Sequence, residues 1–179
     1  PAMGIIMLGS GETTVWNNVI VGFGTDGIYA NHRDRVPGAS YRFYFNTIGD
    51  NTRNAITQFG AGAGPSEAMN NLVFGAEPGI SAGGDVSFTM ANNVVVADRA
   101  GAGFVAEHDY HLTEESLAVG AGVAIDGITD DLDGRPRADP PSVGAYEYSD
   151  EPPPDGDADA DTDVDGDGDT DADGDIDGD

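Results

Sequence analysis

The side chains best suited to chemistry lie at the end of the chain, where every odd position from Asp155 to Asp179 is aspartate. Segments such as Asp163 to Gly168 repeat the first half of a calcium loop, with oxygen ligands at alternate positions and a glycine for the turn. An EF-hand also needs a bidentate glutamate at its twelfth position, where this chain has Gly174. We therefore favour a solvated spacer that binds Ca²⁺ weakly, and keep an ordered calcium site as the alternative. The candidate ligands are Asp161, Asp163, Asp165, Asp167, Asp169, Asp171 and Asp173.

A second candidate is the polar cluster Asn31-His32-Arg33-Asp34-Arg35, with Asp26 shortly before it. Arginine beside carboxylates could bind an acidic sugar in a bidentate pair, or neutralise a uronate in a lyase. The competing interpretation is an exposed loop of compensating charges, which is the usual fate of isolated charge runs. We name Asp26, His32, Arg33, Asp34 and Arg35 as ligand-binding candidates. No serine lies in a nucleophile elbow, so no catalytic residue is assigned.

Charge and composition exclude several classes of protein. The formal net charge is −26, and all seven cationic residues are arginine. Nucleic-acid binding needs clustered basic residues, so we predict no nucleic-acid partner. The absence of cysteine excludes disulfides and thiolate metal sites, and no apolar stretch approaches the ~20 residues of a membrane span.

The elements that must position such side chains are marked by a repeat in the first hundred residues. A short phrase with a central asparagine and a β-branched run occurs four times, at spacings of 28, 25 and 22 residues. The central residues are Asn18, Asn46, Asn71 and Asn93. A strand-like repeat of this length predicts a solenoid, because a single unit cannot bury its own apolar face.

The register of the repeat indicates where the asparagines point. Two positions before them stand Trp, Tyr, Met and Ala, and two positions after them Ile, Ile, Val and Val. On a continuous strand those positions share one face, so we expect the asparagines to point into the stack with their apolar neighbours. A buried amide needs a hydrogen-bond partner, and the identical amide one coil away can supply it. The sequence thus predicts an asparagine ladder inside a β-helix.

Short strands separated by glycine-bearing turns fill residues 1–105, and no helical apolar stripe is sustained. The predicted strands are Gly4–Leu8, Val15–Val21, Ile28–Ala30, Tyr41–Ile48, Ala55–Phe59, Asn71–Phe74, Val86–Thr89 and Asn93–Val96. We predict an all-β chain, a right-handed parallel β-helix of about four coils. A sandwich of hairpins would explain the strands nearly as well, but not the asparagine register.

Residues 106–149 break the repeat and resemble a known closing region. They contain Asp109-Tyr110-His111-Leu112, then Asp131-Leu132-Asp133-Gly134-Arg135-Pro136-Arg137, then Val143-Gly144-Ala145-Tyr146-Glu147. This order is similar to the C-terminal end of bacterial right-handed parallel β-helix repeat proteins, in particular the choice-of-anchor subgroup of secreted and surface proteins. Residues 150–179 then form a proline linker and the acidic low-complexity tail, which we expect to be disordered without ions.

His108, Asp109 and His111 could be a metal pair with a carboxylate, although the spacing is weak evidence. The resemblance implies instead that Asp109 to Leu112 fixes a turn through hydrogen bonds and through burial of Tyr110 and Leu112. The region around Asp131 to Arg137 is interpreted in the same way, as a turn held by ion pairs.

Three functions are compatible with this sequence. The resemblance implies an extracellular or outer-surface protein, and we favour a monomeric module that binds a polysaccharide or another cell-envelope component without catalysis. The alternative is part of a polysaccharide lyase or glycosidase acting on acidic glycans, with catalytic coils upstream in a longer protein. A purely structural stalk or cap is the third interpretation.

Overall fold

The computed structural model describes residues 2–9, 11–32, 38–60, 64–75 and 79–151. Within these ranges the regular secondary structure is almost entirely β-strand. The strands, in chain order, are β1 (Ile5–Leu8), β2 (Thr13–Trp16), β3 (Val19–Val21), β4 (Ile28–Asn31), β5 (Tyr41–Tyr44), β6 (Thr47–Gly49), β7 (Ile56–Phe59), β8 (Ser66–Met69), β9 (Leu72–Phe74), β10 (Ile80–Gly83), β11 (Phe88–Ala91), β12 (Val94–Val95), β13 (Phe104–Ala106) and β14 (Asp109–Leu112), with the short helix α1 (Arg99–Ala102) before β13. The tail beyond residue 151 lies outside the described residues.

The first twelve strands form three parallel sheets. Sheet A contains β1, β4, β7 and β10; sheet B contains β2, β5, β8 and β11; sheet C contains β3, β6, β9 and β12. Each pass of the chain adds one strand to every sheet, so coils 1 to 4 stack in order and span three turns from first to last. The predicted parallel β-helix is confirmed, and the hairpin sandwich is excluded because neighbouring strands in all three sheets are parallel.

The core is built from columns of inward side chains that repeat from coil to coil. Ile28 and Ile56 are in register in sheet A and fully buried. In sheet C, Ile48 and Val73 form a second buried column. Such β-branched stacking fits the pleated surface of a strand and holds the coils in register.

The asparagine ladder is present. The side-chain amide Nδ2 of Asn18 donates to Oδ1 of Asn46 at 3.0 Å, Asn46 donates to Asn71 at 3.0 Å, and Asn71 donates to Asn93 at 2.8 Å. Asn46 and Asn71 are fully buried. The four asparagines therefore stand on one line, as the repeat predicts.

Each rung of the ladder also satisfies backbone groups. Oδ1 of Asn71 accepts the backbone N–H of Asn46 at 3.1 Å, and Nδ2 of Asn71 donates to the carbonyl of Phe43 at 2.8 Å. The same pair of bonds recurs one coil earlier, between Asn46 and the backbone of Asn18 and Val15. The ladder thus supplies hydrogen bonds to the backbone where the sheet ladders are interrupted.

The ladder does not lie on a continuous strand, which corrects the reason for which it was predicted. Each asparagine occupies the corner between a strand of sheet B and a strand of sheet C. The residue before it has a left-handed backbone, with φ of 53° at Asn17, 52° at Phe45, 57° at Asn70 and 52° at Asn92. This residue turns the chain through the corner and reverses the face on which side chains point. The predicted strands Val15–Val21 and Tyr41–Ile48 are consequently each split in two.

Residues 104–151, which we call the flank, lie alongside the solenoid. The backbone N–H of Gly144 donates to the carbonyl of Asn70 at 2.9 Å, and the side chain of Asn70 bonds both backbone groups of Val123. A Cβ on Gly144 would lie 2.7 Å from Oγ1 of Thr47, so only glycine permits this approach. Leu112 and Val143 belong to a buried cluster that includes Leu72 and Phe74 of coil 3, with Val94 of the last coil packed against it.

A buried arginine joins the flank to the corner of the first two coils. Arg137 places its guanidinium 3.8 Å from the centre of the Phe45 ring and donates to Oδ1 of Asn17 at 2.8 Å. Burial lowers the pKa of Arg137 to about 10, and Glu147 at 3.8 Å opposes that shift. The interpretation of this region as a turn held by ion pairs is incomplete, because the buried carboxylate of Asp131 accepts three backbone N–H groups instead.

Substituting a central rung of the ladder should destabilise the fold. We expect Asn71→Leu to lower the free energy of unfolding by about 1–3 kcal/mol, because buried partners on both sides lose their bonds. Asn18→Leu is the matched control, since Asn18 is partly exposed and ends the ladder; its loss should be below about 1 kcal/mol. Urea denaturation followed by circular dichroism measures both, and equal effects would contradict a buried ladder.

The attachment of the flank can be tested at two corner residues with the same backbone. Glycine accepts a positive φ without strain, so Asn70→Gly removes the side-chain bonds to Val123 while it keeps the corner. We expect a loss of about 1–2 kcal/mol in unfolding free energy. Asn92→Gly is the control, because Asn92 has the same φ and is exposed. A neutral result at Asn70 would mean that the flank is held by other contacts alone.

Candidate functional site

The structure places the ligand-binding candidates from the sequence in different surroundings. Asp26 is fully buried, where its Oδ1 accepts a hydrogen bond from Thr57 at 2.7 Å and its Oδ2 lies 3.7 Å from Arg53. His32 is only 2% exposed. Neither side chain faces solvent in the described structure, so we do not build a site on them. Arg33, Asp34 and Arg35 lie outside the described residues, as do the seven candidate calcium ligands of the tail.

The histidines of the flank do not converge on a metal. Nδ1 of His111 lies 2.5 Å from Asp109, and Nε2 lies 2.8 Å from Asp133, so both ring nitrogens are engaged by carboxylates. The His111 ring also stacks on Tyr146, with 4.0 Å between the ring centres. His108 is exposed. In the part of the chain that the structure describes, no group of three or more candidate ligands is close enough to hold a metal ion.

The most open arrangement of functional side chains is the outer surface of sheet B, which we call the B face. Strand register aligns two outward rows of side chains across the coils. The first row is Thr14, Arg42, Glu67 and Thr89, and the second is Trp16, Tyr44, Met69 and Ala91. Neighbouring members of a row are separated by the strand spacing of ~4.8 Å. The B face therefore carries adjacent aromatic and charged side chains on a rigid sheet.

Hydrogen bonds and ion pairs fix the polar groups of the B face. The hydroxyl of Tyr44 donates to Oε2 of Glu67 at 2.6 Å, and Arg42 lies 3.9 Å from Glu12. Burial and the bond to Glu67 raise the pKa of Tyr44 to about 12. The phenol is therefore protonated near neutral pH and acts as a hydrogen-bond donor. Trp16 is left 49% exposed on β2, the terminal strand of sheet B, which pairs with β5 on one side.

The flank supplies a wall beside the B face. Between Ile125 and Ile128 the chain makes a tight turn, closed by a 3.1 Å backbone hydrogen bond, with Gly127 at a φ of 81°. This turn and the first two strands of sheet B enclose a groove of about 460 Å³. The groove is lined by Thr14, Trp16, Arg42, Tyr44, Ile125, Asp126, Gly127 and Ile128. One side thus carries aromatic and charged side chains, and the other carries two isoleucines and the carboxylate of Asp126.

A second depression, of about 530 Å³, lies on the flank around Arg135, Glu147 and Tyr148. Its polar groups are already used within the protein. Glu147 accepts bonds from the backbone and the hydroxyl of Ser142, and Arg135 donates to the carbonyl of Glu151. The groove on the B face is the better candidate, because it combines an exposed indole with a half-exposed guanidinium.

Sequence reasoning missed this groove because it assigned Trp16 and Tyr44 to the same face as the ladder. The left-handed corner residue reverses the face, so these aromatic side chains point outward. Asn-Asn pairs at three of the four corners were the available signal, since asparagine is among the few residues that adopt positive φ readily. The wall formed by residues 125–128 has no comparable signal in the sequence.

The His111 cluster predicts a pH-dependent contribution to stability. Burial lowers the pKa of His111, but hydrogen bonds to Asp133 and Asp109 outweigh it, and the net shift is upward. The contribution is therefore fully present below the unfolded-state pKa of about 6.5, and is lost as pH rises through the higher folded-state value. Burial raises the pKa of Asp109, but hydrogen bonds from the backbone N–H and the ring of His111 outweigh it and the net shift is downward.

We expect His111→Gln to destabilise the protein more at about pH 5 than at about pH 9, because only the imidazolium can donate to both carboxylates. Thermal unfolding of parent and variant across this range measures the difference. His108→Gln is the control, since His108 is exposed and should leave the pH profile unchanged. A difference between parent and His111→Gln that is constant with pH would show that the cluster is not held by a protonated histidine.

Two general findings complete the description. No helix in the described ranges is long and apolar enough to cross a membrane. Comparison with protein-family models, with curated proteins and with solved structures finds no significant match to this chain. The resemblance of the flank to choice-of-anchor proteins therefore stays a prediction, and function must be argued from the groove itself.

Proposed function

We propose that this chain is a non-catalytic module of a secreted or cell-surface protein that binds a neutral polysaccharide in the groove of the B face. The observation that carries the proposal is Trp16, a large aromatic side chain left 49% exposed on the terminal strand of sheet B, where it lines the groove beside Arg42. Isolated apolar side chains at a surface are ordinary, but one that lines a groove with convergent polar groups is typical of a binding site.

The groove offers the two kinds of contact that a sugar ring needs. The negative face of an aromatic ring attracts the partly positive C–H groups on the flat side of a pyranose. Arg42, Tyr44 and Glu67 supply donors and acceptors at the level of the ring hydroxyls. Because these side chains are held by strand register and by the Tyr44–Glu67 bond, little conformational entropy is lost on binding.

Charge favours a neutral glycan over an acidic one. The chain carries a formal net charge of −26, so a polyanion would be repelled at long range. Arg42 could bind one carboxylate, but it already lies 3.9 Å from Glu12. Sugar hydroxyls, which both donate and accept hydrogen bonds, suit such a mixed set of charges better than a uronate does.

The lyase alternative would require a base close to the arginine. Glu67 and Tyr44 are the neighbours of Arg42 on the next strand and on its own strand. Glu67 already accepts the hydrogen bond of the Tyr44 hydroxyl, and a pKa raised to about 12 leaves very little phenolate at Tyr44 near neutral pH. The B face is therefore better suited to holding a glycan than to removing a proton from it.

The single tryptophan of the chain gives a direct test, because all indole fluorescence comes from the groove. We expect titration with soluble neutral oligosaccharides to change the emission of Trp16, with acidic oligosaccharides of equal length binding more weakly. Isothermal titration calorimetry of Trp16→Ala should show an affinity at least about tenfold lower, equivalent to about 1.4 kcal/mol.

Phe59→Ala is the matched control, because Phe59 is 50% exposed on the outer surface of sheet A, away from the groove. Its affinity should equal that of the parent. Arg42→Gln tests the charge argument, since a neutral ligand should tolerate it better than an acidic one. If neither class of oligosaccharide alters Trp16 emission, or if the two alanine variants lose affinity equally, the proposal is wrong.

A further inference from the structure

The last coil of the solenoid leaves its interior open. In sheet B, Ala68 of coil 3 is fully buried, whereas Met90, its register partner in coil 4, is 52% exposed. In sheet C, Val73 is fully buried, whereas its partner Val95 is 51% exposed. These are positions of the same inward columns, so the exposure marks the place where the stack ends without a cover.

The chain leaves coil 4 without closing it. After β12 it enters α1, which packs against β9 of coil 3, and Ala102 of α1 is buried with Leu72 and Phe74. The flank then runs back along the side of the solenoid. Among the described residues, no strand pairs with the outer edges of β10, β11 and β12. A shallow cavity of about 420 Å³, lined by Ile80, Met90 and Val95 among others, lies over this end.

Exposed strand edges and an open apolar core normally call for a cap, because the edges present unpaired N–H and C=O groups that can pair with another chain. The three edge strands here are short, and their sequences, Ile-Ser-Ala-Gly, Phe-Thr-Met-Ala and Val-Val, contain no charged residue. Natural edges are usually protected by charge or proline, and these strands contain neither.

We propose that the open end of coil 4 is a self-association surface, at which two copies of this chain meet end to end in a twofold symmetric dimer. Two identical edges can satisfy each other, because antiparallel pairing uses the same donors and acceptors on both sides. A twofold axis in the plane of the interface reverses the strand direction, so every edge strand meets an antiparallel partner. The dimer replaces the monomer expected from the sequence.

Charge permits close contact at the end of coil 4 and opposes it over most of the surface. With a formal net charge of −26, two copies repel one another over most approaches. The three strands of coil 4 carry no charge, so contact between them places no strand carboxylate in an apolar interface, which would be costly; Asp85, between β10 and β11, is exposed. Dimerisation should therefore strengthen as salt screens the long-range repulsion between copies.

Sedimentation velocity of the full chain over micromolar to millimolar concentrations tests the proposal. We expect a reversible monomer–dimer equilibrium that shifts towards dimer at higher ionic strength. Met90→Glu and, separately, Val95→Glu should weaken dimerisation by roughly tenfold or more, because each buries a carboxylate in the interface. Both side chains are half exposed in the monomer, so the variants should fold, which circular dichroism verifies.

Leu117→Glu is the matched control, since it adds the same charge at a side chain that is 69% exposed on the flank. It should dimerise like the parent apart from the small effect of one more charge. Three results would overturn the proposal: a chain that stays monomeric at every concentration and salt, species larger than a dimer, or an unchanged equilibrium in folded Met90→Glu and Val95→Glu. Growth beyond the dimer would mean that the end of coil 4 contacts a different surface on the next copy.

Discussion

The structure depends on the requirement that a buried amide find a hydrogen-bond partner. Each coil of the solenoid must turn from sheet B to sheet C, and at that corner the regular strand pairing stops. The asparagine ladder meets this need, because one side chain per coil accepts from one backbone N–H and donates to another coil's carbonyl. Since each rung also serves the next, the corners fix the axial spacing and the register of all three sheets. The inward isoleucine and valine columns can pack closely because that register is fixed.

The same corners also attach the flank to the solenoid. Their left-handed residues point outward, and three of them (Asn17, Phe45 and Asn70) hold the flank through two amides and an aromatic ring. A buried arginine over an aromatic face combines a cation–π contact with hydrogen bonds to carbonyl groups, which few other side chains could replace. The fixed position of the flank places the turn at Ile125–Ile128 opposite Trp16 and so creates the groove. The candidate site therefore forms only where the flank packs against the solenoid, and neither the flank nor the solenoid alone would make the groove.

The sequence predicted the parallel solenoid and the ladder because both depend on a periodic property, the recurrence of one residue type at nearly constant spacing. The sequence-based prediction failed at the corners. At each corner one residue with a positive φ reverses the face on which the side chains of the following strand point. That change turned Trp16 and Tyr44 from the expected interior to the outer side of sheet B, where Trp16 is 49% exposed and Tyr44 is 7% exposed. Strands β8 and β10 were missed because Ser66-Glu67-Ala68-Met69 and Ile80-Ser81-Ala82-Gly83 have weak strand propensity. Their conformation is imposed by pairing with the preceding coil, and a local pattern does not record such tertiary constraints.

At each left-handed corner, an inward-pointing asparagine directly follows an outward-pointing residue. Because the reversal of faces occurs at one residue, the inward asparagine is retained while its outward neighbour differs from coil to coil, as the pairs Phe45-Asn46 and Asn70-Asn71 illustrate. Coil lengths can vary as well, since the repeats of 28, 25 and 22 residues differ only in the loops between strands. A chain built on this rule could gain or lose whole coils by duplication or deletion without disturbing its interior. New surface properties could then arise one corner at a time, with the inward asparagine ladder unchanged.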